Sequence, residues 1–223
     1  MKQHVMKGSQ SERTADVLDG RWGHDLVSRS ILNCLKDTNE SSSSSAAAQF
    51  RFRLATKDDL STVTKLVQGL ADYVNEPDEV HLTADDYLRD GFADTDEPLF
   101  YFLLMERRVE NDNSDSDSWM PCGYAAFYFG YNIGSEGGRF IYLEDLFLEV
   151  EHRKFGGGSL MMKTLSNIAL SLECSRFYWQ ALDWNTAGLN FYKKIGATIQ
   201  EGVTTRRYCV ESLKAFAATS HQE

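Results

Sequence analysis

The chain has 223 residues, 42% hydrophobic and 12% aromatic, enough to bury the core of one domain or two small ones. Residues 1–49 hold six acids and six bases, so the remainder carries the whole net charge of −10. Such a surface repels nucleic acid and anionic lipid and favours a cationic ligand, or serves solubility alone.

No run of about 18 apolar residues suggests a membrane span. The first residues lack a basic segment followed by an apolar one, so a cytoplasmic protein is expected. Cys34, Cys122, Cys174 and Cys209 are scattered without a C-x-x-C pair, which suits a reducing compartment. The last three are expected to be buried free thiols. The five histidines show no metal-ligand spacing, so no metal is expected.

Residues 1–49 are polar and end in a serine and alanine tract, which reads as a disordered extension and linker. Within it a short helix is expected near Asp25 to Leu35. The folded domain should begin at Phe50 and run to 218, followed by a tail over 219–223. "FRFRL" reads as a strand. The next segment opens with Thr56 and Asp59, a capping-box start, and continues with Leu60, Val63, Leu66, Val67 and Leu70 at helical spacing. "TADDYLRDGF" reads as a second helix, capped by Thr83 and closed by Gly91. "LFYFLLMER", "CGYAAFYFGYN" and "GRFIYLEDLFLEV" read as strands, the first two joined by a polar hairpin loop.

"RKFGGGS" then turns the chain into a helix over Leu160–Leu172. "RFYWQALD" reads as a strand, "NTAGLNFYKKIG" as a helix ended by Gly196, and "RRYCV" as a last strand. Strand, helix, strand around the glycines implies a right-handed parallel crossover, while the hairpin implies antiparallel pairing. The expected fold is therefore α/β in the α+β sense, a mixed, mostly antiparallel sheet.

Glycines allow a ligand close to the backbone, and a helix start offers unpaired N–H donors at a positive dipole end. The turn thus suits phosphate, with Arg153 and Lys154 adding charge. A plain strand-to-helix turn fits the residues equally well. The Walker and Rossmann glycine patterns are both absent. His152, beside the turn, reads as a solvated turn residue.

"FRLATKDDL", "DGF", "IYLEDLFLE", "HRKFGGGS", "LDWN" and "NFYKKIGA" occur in an order that resembles the GCN5-related N-acetyltransferases. Within that superfamily the resemblance is to spermidine/spermine (diamine) N-acetyltransferases and their thialysine-acetylating relatives, over roughly residues 50–215. It implies helices on both faces of the sheet, a crossover at the acetyl-CoA site, acetyl-CoA as cosubstrate, a small cationic amine as partner and a homodimer.

The resemblance also implies roles. Leu146, Phe147 and Leu148 would pair with pantetheine, and Arg153, Lys154, Phe155, Gly156, Gly157, Gly158 and Ser159 would cradle the pyrophosphate. Asn185, Thr186, Ala187 and Gly188 would touch the cofactor at the next helix start. Tyr192, beside the cofactor, would be the general acid for the leaving thiolate. Glu144 would bind the amine and help deprotonate it through water. Tyr73 stands at a substrate-contacting position. Val74 and Thr204 stand where the polyamine enzymes carry acids, and Tyr178, Trp179, Gln180 and Asp183 would line the same pocket.

The residues agree in part. Glu144 and Asp145 are adjacent in an apolar strand, so they face opposite sides unless a bulge intervenes. A buried carboxylate needs a partner or a polar cleft; an arginine-paired acid at the sheet edge is the other reading. A lysine-like amine, with a reference pKa of about 10.4, must lose its proton before attacking a thioester, and a carboxylate can take it. Tyr192 forms a stripe with Leu189 and Ile195, a pattern that by itself more often means core packing. Trp179 equally suits a core aromatic. Residues 72–97 hold ten acids and one base, Arg89, either a cation-steering surface or a solvated face. Three functions follow: acetylation of a polyamine or diamine, acetylation of an amino-acid or protein amine, and a non-catalytic coenzyme A-binding adaptor.

Overall fold

The computed structural model describes residues 24–41, 49–92, 98–109, 118–134 and 137–219. The linker expected over 42–48 and most of the hairpin loop lie outside these residues. The chain divides into two compact units at Gln180/Ala181.

In the first unit, helix α1 (His24–Ser41) precedes strand β1 (Phe50–Leu54). A 3-10 turn (Lys57–Asp59) leads into α2 (Leu60–Tyr73), and α3 (Ala84–Tyr87) continues as one π-type turn over Leu88–Phe92. Strands β2 (Tyr101–Val109), β3 (Ser118–Asn132) and β4 (Gly138–Leu148) follow, then α4 (Gly157–Ser171) and β5 (Arg176–Trp179). The sheet order is β1-β2-β3-β4-β5. The first three pairings are antiparallel and β4–β5 is parallel, as the hairpin and the crossover require.

Alternation along the strands gives the sheet two apolar faces. Phe102, Leu104, Tyr124, Ala126 and Phe147 pack with Val63 and Leu66 of α2 and with Tyr87. Leu103, Met105, Ala125 and Phe127 alternate with them, and α4 buries Met161, Leu165 and Ile168.

Both capping boxes form, Thr56 with Asp59 and Thr83 with Asp86. Helix α2 ends in a Schellman arrangement: Asn75 is left-handed (φ 61°), Glu76 N–H donates to Ala71 C=O and Asn75 N–H to Asp72 C=O. This fixes Tyr73 on the last turn of α2.

Within the extension before Phe50, the short helix expected near Asp25 to Leu35 forms, and it runs longer, over His24–Ser41. Val27, Ile31 and Leu35 recur at helical spacing and are buried, Ile31 at 0% exposure. Helix α1 packs on α4 and β1. Asn39 bonds to both backbone groups of Phe52, its Nδ2 donating to the carbonyl and its Oδ1 accepting from the amide, each at 3.0 Å. The side chain thus does for edge strand β1 what a neighbouring strand would do.

Other boundaries also shift. Helix α4 starts inside the glycine run rather than at Leu160, and β5 stops at Trp179. In the second unit, α5 spans Thr186–Lys194 and α6 spans Val210–Ala217. "RRYCV" is not a strand: residues 203–209 are irregular. Val210, Leu213 and Phe216 form a helical stripe, and Glu211, Leu213, Lys214 and Ala215 are good helix formers that carry the segment into α6. Cys209 is exposed at its start rather than buried, and Cys174 is only half-buried. None of the described helices is long and apolar enough to cross a membrane.

Replacing Asn39 by Ala removes two hydrogen bonds of about 0.5–1.5 kcal/mol each. The unfolding free energy should fall by roughly 1–3 kcal/mol, read as a lower urea midpoint with the slope unchanged. A midpoint equal to that of the wild type would show that the two Asn39 bonds add nothing to the hold of α1 on β1.

Candidate active site

The site is built where β4 changes partner. Opposite β3, Asp145 pairs with Ala126 and Leu143 with Phe127, so Glu144 is an extra residue with no opposite number, a β-bulge. The bulge shifts the alternation and resolves the expectation of two acids on opposite faces. Asp145 joins Tyr124 and Phe147 on the α2 side, and Tyr124 Oη donates to Asp145 Oδ2 at 3.0 Å.

Two tyrosines accompany the acids. Tyr128 and Tyr142 are cross-strand partners, stacked at 5.1 Å and 24°. Burial raises both phenol pKa values, and the Glu144 carboxylate raises them further. Burial also raises Glu144, with Asp145 adding like-charge repulsion. Asp145 is raised by its own burial against the opposing effect of the Tyr124 hydrogen bond. Glu144 thus has no arginine partner among the described residues, unlike Glu106, which is buried at 3% exposure and bound by Arg51 and Arg53.

The same strand opens on its other side. Parallel pairing with β5 runs from Phe140↔Arg176 to Leu143↔Trp179 and stops. Glu149 N–H donates to Cys122 C=O, so by ladder alternation Leu148 and Leu146 occupy non-hydrogen-bonded pairs with β3. Their N–H and C=O groups therefore point to the edge that β5 has left. Phe147 turns its ring into the core and its backbone to β3.

This edge leads into the glycine turn. Lys154 and Gly156 are left-handed, with φ of 70° and 87°. A Cβ on Gly157 would lie 3.0 Å from the Met105 side chain, so glycine lets α4 start against the sheet. No side chain caps α4, and its first internal bond is Leu160 N–H to Gly156 C=O at 3.0 Å. The amides of Gly157, Gly158 and Ser159 are left for an external acceptor. They sit at the positive end of the helix, so the donor set fits an anionic diphosphate.

Flanking groups differ from expectation. His152 is buried at 7% exposure rather than solvated. Its Nδ1 faces Arg107 Nη1 at 3.1 Å and accepts, because a guanidinium only donates. The Arg107 guanidinium also lies 4.9 Å from the Phe155 ring centroid. Glu149, Glu151 and His152 bring potential ligand atoms within 4.8 Å of one another, but Arg107 on His152 opposes a cation there. Arg153 turns back: Nε donates to Leu148 C=O at 2.8 Å, and the guanidinium covers Tyr73 at 4.2 Å.

Of the pocket positions in this unit, Val74 closes α2. Tyr178 packs edge-on against Phe140, Trp179 is half-buried beside Phe177, and Gln180 is exposed. In the second unit, Asn185 caps α5 by accepting from Gly188 N–H at 3.0 Å, so that amide is already used. Thr186 and Ala187 are exposed on its first turn, and Asp183 and Thr204 lie on exposed loops. Tyr192 lies on α5, and burial raises its pKa. The sequence reading missed Tyr124, Tyr128, Tyr142 and Arg107, because their signal is cross-strand register and not local spacing.

A five-stranded mixed sheet that loses a strand pairing beside an uncapped glycine turn sets an open strand edge and an anion site side by side. The chain is a member of the GNAT acetyltransferases: the Acetyltransferase (GNAT) family profile matches residues 66–197. It is 36% identical over 171 residues to human spermidine/spermine N(1)-acetyltransferase-like protein 1, covering 75% of this chain but only 24% of that longer protein. It is 32% identical over 170 residues to Bos taurus thialysine N-epsilon-acetyltransferase, covering 74% of this chain and 95% of the relative. Among solved structures, an integron cassette protein from the mobile metagenome of V. cholerae superposes with a TM-score of 0.59 at 23% identity. That match covers 77% of this chain and 99% of the other. The family uses acetyl-CoA as cosubstrate.

The raised Asp145 pKa has a consequence for stability. A carboxyl whose folded pKa lies above its unfolded value contributes stability that is full below the unfolded pKa and is lost as pH rises through the folded one. Asp145→Asn, which keeps an acceptor for Tyr124, should therefore raise Tm near pH 7.5 by about 2–4 °C, equivalent to roughly 1 kcal/mol. The gain should shrink towards pH 4. A lower Tm at pH 7.5 would mean that the charge itself is stabilising.

Proposed function

We propose that the chain transfers acetyl from acetyl-CoA to a primary amine of a small polyamine or diamine. The observation that carries this reading is the unpaired edge of β4 running directly into the uncapped amides of α4. An extended amide-bearing arm can pair with Leu146 and with the N–H of Leu148, whose carbonyl Arg153 already bonds, while a diphosphate meets Gly157, Gly158 and Ser159. The thioester supplies the activated acetyl group.

Glu144 takes the ammonium proton, through water, and exposes the nitrogen lone pair. Its raised pKa narrows the gap to the amine, which favours that transfer. As nitrogen bonds to the acetyl carbon and the carbon–sulfur bond breaks, Tyr192 gives its proton to the sulfur. Burial raises its pKa, which keeps the phenol protonated and ready to donate. The acidic surface, with ten acids over 72–97, draws a polycation by long-range attraction.

A second reading is acetylation of an amino-acid side-chain amine such as that of thialysine, lysine or ornithine. It is favoured by Val74 and Thr204, which stand where a long polycation would meet acids, and by the thialysine enzyme among the relatives. A protein amine, or an adaptor that binds coenzyme A without turnover, is the remaining reading.

An acetyl-CoA assay against spermidine, putrescine, ornithine, lysine and thialysine tests the assignment. Turnover should be highest on the polyamine or diamine; preference for thialysine would establish the second reading, and turnover of none the adaptor or protein reading. Tyr192→Phe should lower kcat by about 10²-fold or more, the scale of a lost general acid, with coenzyme A affinity within about twofold. Unchanged kcat would remove Tyr192 from the chemistry.

A further inference from the structure

Tyr73 stands on the last turn of α2, where the resemblance to the family expects a contact with the amine. The structure gives its ring another occupant. The Arg153 guanidinium lies 4.2 Å from the Tyr73 ring centroid and 5.7 Å from that of Phe147. Its Nε donates to Leu148 C=O at 2.8 Å. Arg153 is thus held at three points, on α2 and on both core and edge of β4. Among the described residues its two Nη nitrogens have no hydrogen-bond acceptor.

We propose that Tyr73 is a positioning residue of the coenzyme A site: its ring holds the Arg153 guanidinium at the end of the open β4 edge, with the Nη donors left for the diphosphate. This rests on the reading of the glycine turn given above. The physical reasoning is one of entropy. A free arginine side chain loses most of its rotamer freedom when an anion fixes it, and a guanidinium already stacked and bonded through Nε has lost most of that beforehand. The Schellman end of α2 fixes the Tyr73 backbone, so the ring itself is a rigid support. A guanidinium suits this arrangement better than an ammonium, because it stacks flat while keeping several donors.

The test separates the two sides of the reaction. Coenzyme A is titrated calorimetrically into the wild type, Tyr73→Phe, Tyr73→Leu, Arg153→Gln and the Leu/Gln double variant. Initial rates are measured with acetyl-CoA and with amine varied in turn. Tyr73→Leu should weaken coenzyme A binding about five- to thirtyfold, the scale of a partly desolvated cation–π contact. Tyr73→Phe, which keeps the ring, should bind within about twofold of the wild type. The double variant should be no weaker than Arg153→Gln alone, because the ring acts only through that guanidinium. Wild-type coenzyme A affinity in Tyr73→Leu with a raised KM for the amine would overturn the proposal and return Tyr73 to the amine side. Additive losses in the double variant, or failure of Tyr73→Phe to retain affinity, would overturn it equally. Failure of the wild type to bind coenzyme A would instead strike the reading of the turn itself.

Discussion

The extra residue at Glu144 is the constraint on which the rest of the site depends. It leaves Glu144 without a cross-strand partner and brings Asp145 to the Tyr124 hydroxyl. Leu143 is also the last residue of β4 to pair with β5, so the sheet opens immediately after it. A bulge is a local loss of ladder bonding, and it persists because the register is pinned on both sides. Leu143 and Phe147 are buried on opposite faces, at 2% and 6% exposure. Sliding either segment by one residue would expose one of them and bury an acid.

Several features here are individually unfavourable. Two carboxylates share a partly dehydrated region, a helix starts uncapped, and Lys154 adopts a left-handed backbone. The surroundings hold them in place. Helix α1 packs along α4 from outside, and Asn39 closes the edge of β1. Glu106, almost fully buried, is bound by Arg51 and Arg53, and Arg53 also grips Asp59 through two bonds of 2.7 and 2.8 Å. The Arg53 guanidinium holds the Asp59 carboxyl at about 2, so this ion pair stays charged across the physiological range. Asp59 leads into α2, whose far end carries Tyr73. Burying these charges adds little net stability, but losing one partner would leave the others uncompensated. The network therefore fixes where α2 starts, and with it where Tyr73 ends.

Much of this was legible in the sequence where the signal is local. The Thr56 box, the Thr83 cap and the glycine turn each lie within a few residues, and each forms where its residues stand. The parallel crossover followed from strand, glycine turn and helix in succession. What escaped depends on distant partners. Helix α1 was visible only as a short periodic stretch, because its burial needs α4 and its use of Asn39 needs β1. The bulge was admitted as an exception but not located, since register is set by β3. His152 looked solvated beside a basic turn, yet Arg107 on β2 draws it inward. "RRYCV" carries strand-like residues, but the stripe from Val210 to Phe216 prevails.

The electrostatics of the acids connect stability to the proposed chemistry. Burial is the largest cause of the rise in both Glu144 and Asp145, and Asp145 adds to the rise in Glu144. Each ionised carboxylate therefore costs folding free energy at neutral pH that a nearby cation can offset. An incoming ammonium is such a cation. The closer a carboxyl pKa moves towards that of the amine, about 10.4 for a lysine-like group, the smaller the penalty for moving the proton between them. In the proposed reaction, the desolvation that weakens the fold at this point would also strengthen attraction for an ammonium and ease its deprotonation. A better-solvated acid would make the protein more stable and the amine harder to activate.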